Sequence, residues 1–122
     1  MNDIEQILQR LSTSKFRSKF HLKDKDIKYI KEKGFDVIEE HAKDFISKRL
    51  KIKTDKDGKQ TPYKGHPVFI AQHATATCCR ECLSKWHKID TDIELNDNLM
   101  SYVVNVIMTF IKKEIKENYN HI

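Results

Sequence analysis

Pro67-Val68-Phe69-Ile70-Ala71-Gln72-His73-Ala74-Thr75-Ala76-Thr77-Cys78-Cys79-Arg80-Glu81-Cys82-Leu83-Ser84-Lys85-Trp86-His87 decides the fold, because it reads either as one long helix or as a metal-bound break between shorter elements. Together with the loop that begins at Gly58, this stretch carries all three cysteines, the single tryptophan, both prolines and three of the six histidines, so the function is expected here. Pro67 suits a first helical turn, where no amide donor is required. No Gly or Pro interrupts Val68 to His87, and Thr75-Ala76-Thr77 is poor but tolerable helix, so a continuous helix is the simpler expectation.

On such a helix His66, His73, Arg80 and His87 are spaced by seven and drift only about 20° per step, so they share one face, with Thr77 and Ser84 close to it. Imidazoles beside a guanidinium suit an anionic ligand such as a phosphate, and Lys59, Gln60 and Lys64 from the preceding loop would add contacts. Val68, Ala71, Thr75, Cys78, Cys79, Cys82 and Trp86 then point inward, the thiols acting as small core residues. The competing reading is zinc. Cys79 and Cys82 have the two-residue gap that lets two thiolates grip one ion, His87 is a third ligand, and His73 or His66 a fourth. On one continuous helix these groups cannot meet at one ion, so the two readings exclude each other.

Outward from this stretch the pattern is helical. Ile4, Ile7, Leu8 and Leu11 predict a helix from about Asp3 to Leu11, which Ser12-Thr13-Ser14 ends. Phe16, Phe20 and Leu22 are expected to lie across the core. Asp24 is the expected cap of a helix closed by Gly34, and Asp36 with Glu39 the expected capping box of one reaching Leu50. His41 and Asp44 lie at the edge of that helix's apolar face, where they would join the histidines in holding a catalytic divalent metal or serve as acid and base in phosphodiester hydrolysis. Asn96 caps the last helix, whose stripe Leu99, Val103, Val106, Ile107, Phe110, Ile111 and Ile115 is the clearest core element. The expectation is an all-α, compact single domain spanning residues 1–122, with about five helices, the motif 58–87 at its centre, and a short strand at Val68-Phe69-Ile70 as the one alternative.

Composition narrows the function classes. At 122 residues the chain is one small domain. It lacks the roughly 20-residue apolar run of a membrane span and a basic-then-apolar leader, which predicts a soluble, cytoplasmic protein with no membrane partner. Three cysteines, two of them adjacent, do not form a secreted disulfide framework, so reduced thiols or metal ligands are expected. The net charge is +5, and residues 15–59 carry 15 Lys and Arg against 9 Asp and Glu, leaving the remainder near neutral at 8 against 9. That balance suits an anionic partner, a nucleotide or nucleic acid.

The segments Gly58-Lys59-Gln60-Thr61-Pro62, Gly65 through Arg80 and Cys82-Leu83-Ser84-Lys85-Trp86-His87 resemble the signature of a family of bacterial, archaeal and phage proteins, domain of unknown function 4186. Ser18-Lys19-Phe20, Tyr29-Ile30, Lys33-Gly34, His41-Ala42, Asp44-Phe45-Ile46 and Val106-Ile107-Met108 extend the similarity over nearly the whole chain. The resemblance implies no activity. Its phage members suggest a protein that captures a nucleotide signal or blocks a host defence factor. Where the family has Gly before the last cysteine this chain has Glu81, a residue at home in a helix. The leading expectation is thus a binding module for a phosphate-bearing ligand using His41, Asp44, Lys59, Gln60, His66, His73, Thr77, Arg80 and His87. The alternative is a zinc module using Cys79, Cys82, His87 and His73.

Overall fold

Local chemistry sets the helix boundaries in the computed structural model, which describes residues 3–119. The elements are α1 (Ile4–Ser12), a 3-10 turn (Arg17–Lys19), α2 (Asp24–Lys33), α3 (Phe35–Arg49), α4 (Pro67–Ala74), α5 (Arg80–His87) and α6 (Asp97–Tyr119). Among the described residues there are six α-helices and no strand, so the protein is all-α with one helix more than expected, and Val68-Phe69-Ile70 lies in α4. None of the helices is long and apolar enough to cross a membrane.

Asp3 caps α1 by accepting from the Glu5 and Gln6 amides at 3.0 and 3.4 Å. Asn96 caps α6 as its sequence position predicts, its Oδ1 accepting from the Leu99 amide at 2.9 Å. Two other caps differ from expectation. Lys23, not Asp24, occupies the cap of α2, with the Asp26 carboxylate reaching back to its amide at 2.9 Å. Gly34, at φ 88°, both closes α2 and opens α3, so Asp36 falls inside the first turn and forms no capping box. A left-handed joint of this kind costs glycine little, since it has no Cβ.

The core is where α6 crosses α3, α4 and α1, filled by Ile38, Ala42, Ile46, Val103, Val106, Ile107 and Ile111 with Ile7, Leu8 and Leu11. Every residue from Pro67 through Arg80 is buried, so the central stretch lies inside the molecule rather than along its surface. Phe20 packs against the core, but Phe16 does not and stands 43% exposed.

Candidate metal centre

The continuous helix does not form. Thr75 turns its hydroxyl back to the Ala71 carbonyl at 2.7 Å, Ala76 adopts a left-handed conformation at φ 57°, and the Thr77 amide returns to the Gln72 carbonyl at 2.9 Å. This closes α4 with the reversal usual at helix ends, although Ala replaces the usual Gly. Buried side chains hold the reversal: Gln72 Nε2 donates to the Thr77 carbonyl at 3.0 Å, and His87 Nε2 to that of Thr75 at 2.8 Å.

Beyond the break Cys79 is fully extended (φ −157°, ψ 168°), and its sulfur caps α5 by accepting from the Cys82 amide at 3.4 Å. The Asp57 carboxylate completes that cap, receiving the Arg80 and Glu81 amides at 3.0 Å each, while the Thr61 hydroxyl donates to the Cys78 carbonyl at 2.8 Å. The N-terminus of α5 therefore faces the thiols.

The Sγ atoms of Cys78, Cys79 and Cys82 all lie within 4.8 Å of one another, an arrangement that could hold a metal ion. Cys78 and Cys79 are buried and Cys82 is partly exposed. Arg17, from the 3-10 turn, donates to Cys82 Sγ at 3.0 Å, to Cys78 Sγ at 3.4 Å and to the His73 carbonyl at 2.8 Å. Cys79 Sγ donates to Cys82 Sγ at 3.1 Å, which makes Cys82 the thiolate of the set. Bonds from Cys78 and Cys79 hold Cys82 well below the ordinary thiol value against the opposing effect of burial, with Arg17 adding to the depression. The same bonds, to Cys78 first and then to Cys82, together with burial push Cys79 up. Burial acts to lower Arg17, but the two sulfurs outweigh it and raise the guanidinium.

The expected metal set is thus corrected in part. Cys79 and Cys82 do converge, and their third partner is Cys78. Among the described residues no histidine nitrogen joins the cluster. His73 Nε2 instead lies 3.1 Å from each of the Thr61 and Pro62 carbonyls, and His87 Nδ1 takes the Tyr102 hydroxyl at 2.7 Å. Burial depresses both imidazoles.

The shared His66/His73/Arg80/His87 face is likewise overturned, because His66 caps α4, His73 lies on α4, Arg80 and His87 lie on α5, and the last three are inside. Arg80 is 0% exposed and spans the carbonyls of Leu50 (3.3 Å), Lys51 (2.9 Å), Asp90 (2.7 Å) and Ile93 (2.7 Å). His66 does meet His41, at 3.0 Å between Nε2 and Nδ1, among the rings of Tyr29, Phe45 and Phe69. Asp44 pairs with Lys48 at 2.9 Å, Gln60 donates to Asp57 at 2.7 Å, Thr77 is buried and Lys59 is exposed.

The sequence reading missed Cys78 as a cluster member, Arg17, and the two residues that brace the start of α5, Asp57 and Thr61. The adjacent cysteines after a weak Thr-Ala-Thr helical segment were a usable signal for Cys78. Arg17 has none, lying 61 and 65 residues from the sulfurs it contacts.

Fold and site together define a helical protein with a three-thiol cluster, two of its cysteines buried, at the N-terminus of α5. The chain belongs to the family described as domain of unknown function (DUF4186), matched over residues 5–112. No solved structure matches it.

Proposed function

We propose that the protein is a zinc-stabilised helical module in which Cys78, Cys79 and Cys82 are the protein ligands. The observation that carries the reading is the convergence of three sulfurs at the break between α4 and α5. Thiolates favour zinc among the common divalent ions. Three thiolates and one divalent ion carry a net charge of −1, which the Arg17 guanidinium offsets, and its N–H groups are placed to bond the ligand sulfurs. Two zinc–sulfur bonds of about 2.3 Å at a tetrahedral angle subtend roughly 3.8 Å. Binding therefore spreads the Cys79–Cys82 pair, now 3.1 Å apart. The fourth position falls to water or an exogenous group.

Zinc would tie α4, α5 and, through Arg17, the 3-10 turn into one unit, a useful gain for a chain with a limited core. The test is elemental analysis of the tag-free protein purified under reducing conditions, with Cys82→Ser as the variant. One zinc per chain, lost in the variant together with several kcal/mol of stability, is the expected result. A fully folded metal-free protein, in which Cys82→Ser costs only about 1–3 kcal/mol, refutes the reading.

A further inference from the structure

Residues 6–23 carry Arg10, Lys15, Arg17, Lys19 and Lys23 and no carboxylate, and residues 58–80 carry Lys59, Lys64 and Arg80 and none either. The rest of the chain holds 15 cations against 18 carboxylates, so these two segments contain the whole positive excess. They are remote in sequence and meet in the fold. The Phe20 ring lies 5.3 Å from His73 and 6.1 Å from Tyr63, and Arg17 bonds the His73 carbonyl.

At this junction aromatic rings face solvent. Tyr63 is 61% exposed and stacks on buried His73 at 4.1 Å with only 7° between the planes, so its outer face is presented rigidly. Phe16, also exposed, is edge-on to the Phe20 ring at 5.2 Å, with Lys19 and Arg17 within 5.9 and 5.0 Å of its own ring. Lys15, Lys19, Lys59 and Lys64 are all exposed. Of the nearby carboxylates, Asp57 is spent on the α5 cap. Glu114 is spent on the Leu22 amide and His21, and Glu117 lines the neighbouring cleft with Arg17 and Lys113.

We propose that this aromatic and cationic face binds single-stranded nucleic acid, with a base stacked on Tyr63 and the backbone neutralised by Lys15, Lys19, Lys59 and Lys64. Flat exposed rings among lysines match unpaired bases joined by phosphates. A duplex offers no free base face to Tyr63, and an acidic peptide would use the lysines but leave the rings unexplained. The inference goes beyond the zinc reading and uses different side chains, sharing only the Arg17–His73 scaffold.

The experiment is fluorescence anisotropy on the full chain as purified, with labelled oligothymidylate, an RNA of the same length, and a duplex. The zinc content of every variant is measured, so that loss of metal and loss of the surface are told apart. The single strand is expected to bind about tenfold or more tightly than the duplex, and Tyr63→Ala to weaken it by roughly 5- to 100-fold while Tyr63→Phe retains it. Lys19→Gln with Lys64→Gln, both at exposed positions, should lower the salt slope by about 1.4. Equal affinity for duplex or for polyglutamate, unchanged binding in both Tyr63→Ala and the lysine double variant, or no binding at all overturns the proposal.

Discussion

Replacing Arg80 with Met separates a buried staple from a ligand-facing cation. Met keeps the packing of the stem and removes donors that serve four backbone carbonyls on two loops and the end of α3. A hydrogen bond to a charged group is worth about 1.5–3 kcal/mol, so the four together set an upper limit of roughly 6–12 kcal/mol. Three of the four carbonyls are only part-buried and regain water once the guanidinium is gone. That recovery roughly halves the figure, to about 3–6 kcal/mol. A chain of 122 residues has a total stability on the order of 6–18 kcal/mol, so at mid-range the variant should lose roughly a third of it. Arg80→Lys, with three donors in place of five, should fall between the two. Urea unfolding followed by circular dichroism measures the loss directly. A cost below about 1 kcal/mol, the scale of exposed charges, refutes the argument and returns Arg80 to the surface.

His66 predicts acid sensitivity. The Val68 amide donates to its Nδ1 at 3.0 Å, so the proton sits on Nε2 and is donated to His41; a second proton breaks the cap of α4. Burial, and then the nearby His41 ring, hold His66 at about 4 against an ordinary 6.5. Because the folded value is the lower one, its contribution is complete above about pH 6.5 and is lost as the pH falls through about 4. The shift corresponds to at most about 3 kcal/mol, and about half that for a ring partly reached by solvent. His66→Asn, which can still cap Val68, should flatten the stability profile over that range, and profiles that stay parallel to the parent would contradict the assignment. Lys88 closes α5 at φ 59° on the surface, so Lys88→Gly should raise stability by about 0.5–1 kcal/mol in thermal unfolding, and no gain would argue against a left-handed residue there.

The legible parts of the fold were those fixed by periodicity and by nearest-neighbour chemistry. The stripe Val103, Val106, Ile107, Ile111 announced α6, Asn96 its cap, and Ile7, Leu8 and Leu11 the inner face of α1. The break at Thr75–Cys79 was not legible, because no local breaker residue causes it. Ala76 is a good helix former held left-handed by Gln72, Thr77 and His87, and Thr75 bonds back as it would inside a helix. Tertiary hydrogen bonds override local propensity there. Seven-residue spacing suggested a shared face for His73, Arg80 and His87 that exists only if the helix continues. The interior placed each of the three against different carbonyls instead.

By itself, the sequence determined that this is an all-α protein and that Cys79 and Cys82 are spaced to meet. Both depend on residues within about two helical turns of one another, where backbone geometry dictates which side chains are neighbours. Only the tertiary structure decided that Cys78 completes the cluster, that Arg17 covers it, that Arg80 is a buried staple, and that Phe20 brings Phe16 and Tyr63 to one ring. These contacts join segments tens of residues apart, and they are set by how α6, α3 and α4 pack and by which carbonyls that packing leaves unpaired, quantities that no local pattern encodes.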